Sequence, residues 1–490
     1  MKSEKNYSRL NLQPVKKTAV DHSFIFINFC IWLLFLGNIC FLALNYEKTQ
    51  WINFGIVQIN RFTILIWTIV SFFAAVILSY SRRYLRGFTY HGSFVLLTLG
   101  FTASVMLFVA SNHILLLLSS WFAMGYFMSR LIGSDKDWGE AREASKFAQK
   151  YFLLSSIFLS IGVLLLAFQS KSFMIGEIIG KLELLPKPVL IVSALLIITA
   201  SLIQSAIYPF HRWLLSAMTA PTPASALMHA GFVNGSAMLL TLFSMLLINT
   251  GTLPLLFTIG GVTAIVAQFT KLLQTGVKHK LACSTIAQMG FMIMQCGLGF
   301  FNAAIVHLML HGFYKAYLFL SSGEHIEASV PIDPLSIRIK PLQAIAVLVF
   351  GLLGAYLFAT LTGKSTTLNS GLLLTLIVAI TVGQITYNIV KQNSLSVWQR
   401  ILWPFVIFLI GIGCYAVIYN VVTKLMGDMP GIDVPVPLSN VHIIMGIIFL
   451  VSFFIMKLGI YRKVPWVYVK LLNDSQPYKK TILMFKNSPL

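Results

Sequence analysis

Fourteen apolar runs, each close to the ~20 residues that a helix needs to cross roughly 30 Å of hydrocarbon, divide this 490-residue sequence. They lie near 24–45, 63–80, 92–110, 112–131, 149–168, 188–208, 224–248, 253–272, 281–299, 301–322, 342–361, 369–390, 401–421 and 440–459. In a bilayer every backbone N–H and C=O must be satisfied internally, so runs of this length fold as helices; a barrel would need short alternating strands. Charged residues make up 10% of the chain and hydrophobic ones 57%, against about 25% charged in soluble domains. That balance excludes a soluble fold and predicts an all-α polytopic membrane protein.

The formal charge of +21 would fit a nucleic-acid binder, but its distribution points elsewhere. With the N-terminus cytoplasmic, 28 of the 36 Lys and Arg residues fall on the cytoplasmic side, seven fall outside, and Lys315 lies within a span. This is the positive-inside asymmetry, and it explains the charge without an acidic ligand. Its anchors are the basic N-terminal segment (Lys2, Lys5, Arg9, Lys16, Lys17), the Arg82/Arg83/Arg86 turn, Lys278 and Lys280, and the tail with Arg462, Lys463, Lys479 and Lys480. An even number of spans puts both termini in the cytoplasm. The first run is longer than a signal-peptide core and has no small-residue cleavage site, so it reads as a retained span. Five cysteines (Cys30, Cys40, Cys283, Cys296, Cys414) sit in or beside apolar runs without CxxC or Cys/His spacing; they read as buried small hydrophobes, with no metal site expected.

No soluble domain or long linker interrupts the chain. The polar stretches are the first 23 residues, the 132–148 and 323–341 loops, and the tail after Lys457. The 132–148 loop mixes both signs and reads as a solvated helix start, with a partner contact as the alternative. Two places depart from plain lipid-facing helix. In the first, QSAIYPFHRW (204–213), Pro209 interrupts an apolar run just before His211 and Arg212, and Pro221-Thr222-Pro223 follows before the span that carries His229. The carbonyls that a proline frees are tolerated in a membrane only where protein or water satisfies them, and such discontinuous helices recur at ion sites.

The second place is FNAAIVHLMLHGFYKAYLFLSS (301–322). His307, His311 and Lys315 are spaced i, i+4, i+8, which confines them to an arc of about 80° and lets them climb about 12 Å. Lys315 is the only Lys or Arg deep within a span, and span interiors hold no Asp or Glu. A lysine there costs at least about 2.5 kcal/mol, so it must find a polar cavity or a partner, or give up its proton. The functional reading is a proton or cation relay, for which histidines are suited. The structural reading is a lysine bonded to carbonyls and histidines bonded across helices.

The stretch YPFHRWLLSAMTAPTPASALMHAG (208–231) resembles the PFHxWL…PTPxSALxHA signature of the antiporter-like subunits of respiratory complex I and of Mrp-type cation/proton antiporters. KLACSTIAQMGFM…HLMLHGFYKAYLFLSSG, from Lys280 to Gly323, does so too. In HRWLLSAM, HAGFVNG, STIAQMGFMIMQCGLG and FYKAYLFLSSG the sequence looks most like the DabB family, the membrane subunits of inorganic-carbon accumulation complexes. The specific resemblance covers about 201–323.

The resemblance implies an N-terminal segment with two spans (1–91), two inverted five-helix repeats (92–248 and 253–390), each with a broken helix, and C-terminal spans with a basic cytoplasmic tail (391–490). It also implies an ion pathway through Lys315, His311, His307 and His229, with Gln204 and His211 at the first break and Lys364 at the second. This chain would hold no catalytic site and no cofactor. CO2 hydration would fall to a DabA-like zinc protein resembling β-carbonic anhydrases, and the complex would sit in the bacterial inner membrane. Two positions depart from the complex I pattern: Phe122, after Trp121, stands where those subunits carry glutamate, and Gln204 stands where they carry its partner lysine. An independent proton pump is put in doubt, and a simpler cation pathway fits better. The alternatives are a complex I-like or Mrp-like translocating subunit, or a non-conducting anchor. No GxGxxG after a strand and no cysteine cluster supports a redox role within the chain.

Overall fold

In a computed structural model, the structure describes residues 19–45, 50–323, 341–364, 369–390 and 396–482. The basic N-terminal segment, most of the 323–341 loop and Lys486 lie outside the described residues. The N-terminal half holds α1 Ala19–Leu44, α2 Arg61–Tyr84, α3 His91–Ala110, α4 Ile114–Ile132, α5 Gly139–Ser170, the short α6 Ile175–Gly180 and α7 Lys187–Gln204. The broken region follows as α8 Arg212–Ser216, α9 Thr222–Leu227, α10 Gly235–Leu242 and α11 Ser244–Asn249. Beyond it come α12 Leu253–Lys271, α13 Val277–Gly297, α14 Phe301–Leu320, α15 Pro341–Thr362, α16 Gly371–Val390, α17 Val397–Leu425, α18 Asn440–Leu458, α19 Ile460–Lys463 and α20 Pro465–Asp474.

Each of the fourteen apolar runs falls on helix. Among the described residues ten helices are long and apolar enough to cross a membrane, and Val347–Thr362, Gly371–Tyr387 and Asn440–Met456 are shorter apolar stretches. The remaining run is α13, which carries Lys278, His279, Lys280, Gln288 and Gln295. Burial orders the bundle. In the Thr222–Leu242 span 94% of the most apolar window is buried, against 6% in Ser23–Leu44, so the broken region is central and α1 lies at the rim.

Small residues let backbones approach where polar side chains must be enclosed, the usual solution when lipid supplies no hydrophobic drive between helices. A Cβ at Gly260 would stand 2.6 Å from the Gly290 carbonyl, and one at Gly290 2.7 Å from Ala264 N. The α12–α13 contact is therefore backbone to backbone, and α13 in turn packs on α14.

One end of the bundle is stitched by loops. A hairpin of β1 (Gln50–Asn53) and β2 (Gln58–Asn60) leads into α2, whose first turn is capped by Asn60 Oδ1 accepting Thr63 N at 2.9 Å. At the other end the C-terminal segment straps across the broken region. Asp474 faces Arg212 at 3.7 Å, Tyr478 N donates to Ser216 Oγ at 2.9 Å, and the Tyr478 ring stacks flat on Phe147 with centroids 4.1 Å apart.

Candidate functional site

The first break is built by local chemistry. α7 ends in a Schellman arrangement: Ala206 takes the left-handed position (φ 55°), Ala206 N donates to Ile203 O at 3.2 Å, and Ile207 N donates to Leu202 O at 3.0 Å. Glycine usually fills that position, so alanine marks a backbone held by its surroundings. The Tyr208–Pro209 peptide is cis. Trp213 Nε1 donates to the Ile203 carbonyl at 2.9 Å, and Lys278 Nζ reaches the Ala220 carbonyl at 2.9 Å, so side chains satisfy carbonyls around both proline-containing intervals. The helix resumes as α9, and between α9 and α10 a π-helical turn over Met228–Phe232 carries His229. Such turns re-aim side chains and favour functional sites.

Lys315, fully buried on α14, donates to the Leu281 carbonyl at 3.1 Å. His311 stands one turn before it on the same helix, and the π-turn that carries His229 packs against α14. The His307 and His311 rings stack with centroids 5.9 Å apart, and His229 lies flat on Phe319 at 4.3 Å. The two readings of this helix therefore divide. Lys315 has the carbonyl contact of a structural lysine, whereas both ring nitrogens of His229 and His311, and Nε2 of His307, are buried with no hydrogen-bond partner. A buried donor or acceptor left unmade costs about 1–3 kcal/mol, and native structures seldom hold many together.

His307 opens onto a cavity of about 330 Å³, which is lined also by Gln295, Phe291, Phe358 and Tyr415. Gln295 Oε1 is likewise buried without a partner. Tyr415 stacks on Tyr419 (6.1 Å), and Tyr419 belongs to a second polar cluster that sequence reading missed. There Lys364 Nζ meets Asp433 Oδ1 at 2.6 Å and lies 3.7 Å from the centroid of the Phe300 ring. Asp433 Oδ2 accepts from Asn302 Nδ2 (3.2 Å) and Tyr419 OH (3.3 Å), and Asn302 also donates to Tyr419 OH (2.8 Å). Burial lowers the pKa of Lys364, and Asp433 pulls it back up. The sequence could not supply Asp433, 69 residues downstream, because nothing in its loop shares a motif with Lys364.

Of the remaining expected residues, Gln204 ends α7 with its Nε2 buried and unpartnered beside Trp121 and Met124, around Gly235. Trp121 donates to Ser155 Oγ at 3.1 Å, whereas Phe122 points outward, 47% exposed. The position that carries glutamate in the complex I pattern is thus on the outer surface of this chain. His211 sits apart from the α14 row: its Nε2 is 2.7 Å from the Asp474 carbonyl, and burial pushes the imidazole down to about 4. It is neutral at working pH and fastens the C-terminal strap to the break.

An all-α polytopic bundle with a broken central helix and an interior row of titratable side chains defines a protein of the antiporter-like membrane-subunit class. The chain belongs to the NADH:quinone oxidoreductase/Mrp antiporter transmembrane family, whose model matches residues 110–389. It is 31% identical over 311 residues to a protein of Hydrogenovibrio crunogenus named "Probable inorganic carbon transporter subunit DabB", covering 61% of this chain and 58% of that one. It is 33% identical over 263 residues to NADH-quinone oxidoreductase subunit L of Pseudomonas aeruginosa, covering 51% and 41%. The chain thus spans about half the length of these relatives. The Mrp complex from Dietzia sp. DQ12-45-1b shares the fold, with a TM-score of 0.64 at 20% identity over 92% of this chain and 56% of that one.

Proposed function

We propose that this chain is the membrane subunit of an inorganic-carbon uptake complex, conducting protons, or alternatively sodium ions, inward to drive a DabA-like zinc partner that handles CO2 or bicarbonate. The observation that carries this reading is Lys315 with the buried, unpartnered imidazoles of His229 and His311, followed by His307 and Gln295 at a largely apolar cavity that is partly open at the bundle surface. Such groups are stable where internal water or a passing ion completes their hydrogen bonds. In this reading α14 joins two stations: Asn302 in its first turn touches the Lys364–Asp433 pair, and Lys315 lies ~20 Å further along the helix. The ion enters at Lys364–Asp433, passes Tyr419, Tyr415 and the cavity, and moves over His307 and His311 to Lys315 and His229. Repeats at 92–248 and 253–390 would each contribute a half-path.

Ions moving down their gradient supply about 2.3 kcal/mol per charge per 100 mV, enough to make hydration on a partner directional. The DabB relatives support the carbon substrate. The complex I likeness is a second reading, and the outward Phe122 together with Gln204 weighs against it, because the buried carboxylate–lysine pair of that scheme has no counterpart at these positions.

The test is rescue of a bacterial strain that cannot grow in air because it lacks carbonic anhydrase. This chain alone is expected not to rescue growth, and co-expression with its zinc partner is expected to do so. Rescue by this chain alone would overturn the division of labour, and failure with the partner would overturn the carbon substrate. The same reading places the complex in the bacterial cytoplasmic membrane with both ends of the chain inside. Reporter fusions before Met1 and after Leu490 should both read cytoplasmic, and a periplasmic signal at either end would refute that topology.

A further inference from the structure

A cavity of about 650 Å³ lies between α3, α4 and the start of α5, remote from the ion row, and Arg130, Lys136, Arg142 and Lys146 line it together with Ser93 and Ser134. No carboxylate lines it, although Asp135, Asp137, Glu140 and Glu143 lie in the same segment. Glu143 is taken by Lys146 at 2.8 Å, while among the described residues Arg130, Lys136 and Arg142 form no ion pair. All four cations are exposed and water screens them from one another, but only Lys146 has a carboxylate partner, so the groove keeps a net positive charge that an anion would complement.

The other part of the lining is apolar. Leu96 and Leu97 of α3 and Tyr126 of α4 line the same cavity, and Leu96 is 67% exposed. From there the outer stripes of both helices continue away from the charges, through Leu107 on α3 and Phe122 and Leu115 on α4, all exposed. In a bilayer these stripes face acyl chains. Gly100 of α3 faces the Phe127 ring of α4, so the two helices meet closely behind them.

We propose that this cavity is a binding site for one phospholipid with an anionic headgroup, its phosphate held by Arg130 and Arg142 and its acyl chains laid along the α3–α4 stripes. The pairing of a cationic pocket with a continuous apolar track selects a molecule that carries both chemistries. A free phosphate would use the first part only. Guanidinium groups suit the role, since their planar fork takes two phosphate oxygens at once. Arg130 is steadied by the Tyr126 ring, its guanidinium carbon 5.3 Å from the centroid. The mixed-charge 132–148 loop, which reads from sequence as a plain solvated helix start, thus becomes one wall of a lipid pocket.

The test is native mass spectrometry on the full chain, purified in detergent, stripped of lipid and titrated with dioleoylphosphatidylglycerol or dioleoylphosphatidylcholine. One phosphatidylglycerol is expected to bind more tightly than all later ones, with no matching first site for phosphatidylcholine. The double variant Arg130→Gln/Arg142→Gln should weaken that first site about thirtyfold, while Arg82→Gln/Arg83→Gln, which removes two cations elsewhere on the cytoplasmic side, should leave it unchanged. Should the first variant fold poorly, Leu96→Trp, which fills the apolar part without touching charge, should weaken the same site. Equal weakening in both arginine pairs would show diffuse surface charge and overturn the proposal. So would displacement of the lipid by inorganic phosphate, which would assign a soluble-anion site. Loss of a co-purifying acidic protein in Arg130→Gln/Arg142→Gln, with lipid binding unchanged, would assign a protein contact and overturn it as well.

Discussion

Replacing Lys315 with methionine is expected, on the proposed function, to lower inorganic-carbon accumulation by about a hundredfold or more, the scale on which a positioned proton-transfer group contributes, while this chain and the proposed partner keep their membrane abundance. The side chain is fully buried, its ammonium rests on the Leu281 carbonyl, and His311 one turn before it and His229 on the π-turn packed against α14 have their ring nitrogens unpartnered. Methionine keeps most of the volume and removes the charge. Lys315→Arg should fail too, because a guanidinium does not give up its proton and cannot pass one on. A lysine serving only as a polar strut predicts the reverse ranking: methionine would be tolerated, since an apolar side chain is at home among spans, and arginine would be the damaging change. Bicarbonate accumulation in cells, measured at matched membrane abundance of this chain and the proposed zinc partner, separates the two. Near-normal accumulation with Lys315→Met would remove the relay.

At the other station of the proposed path, Asp433→Asn is expected both to lower the amount of folded protein and to block accumulation. Lys364 has 7% of its side chain exposed, and its remaining neighbours would be the Phe300 and Tyr419 rings. Stranding a buried cation costs about 3–5 kcal/mol, and here about 2–3 because Asp433 itself is a third exposed. With Asp433 gone, the influence that raises the Lys364 pKa is lost, so the ammonium would give up its proton at a lower pH than in the parent protein. Lys364→Met/Asp433→Leu removes both charges together, and abundance should return, because apolar replacement of a whole pair is often neutral. Accumulation should not return if the pair is the outer mouth of the ion path. Membrane abundance and accumulation measured on the same cells decide it: recovery of both in the double variant would make the pair a strut.

The break at 204–222 was legible because it depends on local signals. A proline inside an apolar run, a histidine and an arginine beside it, and a second proline pair are visible along the chain, and the helix does stop there. The stopping residue was not visible. Ala206 ends α7 in the left-handed conformation usually given to glycine, and the partners that hold the turn, Trp213 on the Ile203 carbonyl and Val233 and Ser236 on the Ser205 hydroxyl, lie further along the chain. The ladder of His307, His311 and Lys315 followed from helical spacing alone, since every residue involved sits on one helix. Lys364 could be singled out as a candidate, but Asp433, Asn302 and Tyr419 could not, because they come from three separate elements with no common motif.

What the sequence determined by itself is therefore the part set by the solvent. A bilayer forces long apolar runs into helices and makes an isolated intramembrane lysine conspicuous, and both are written in composition and period. Only the tertiary structure decided which polar groups meet. It seated Lys278 on the Ala220 carbonyl, joined Lys364 to Asp433, turned Phe122 outward, and gathered Arg130 and Arg142 into one pocket. Those pairings depend on how helices far apart in the chain dock. Docking inside a membrane is governed by the fit of small residues such as Gly260 and Gly290, where a single methyl group would collide with the neighbouring backbone.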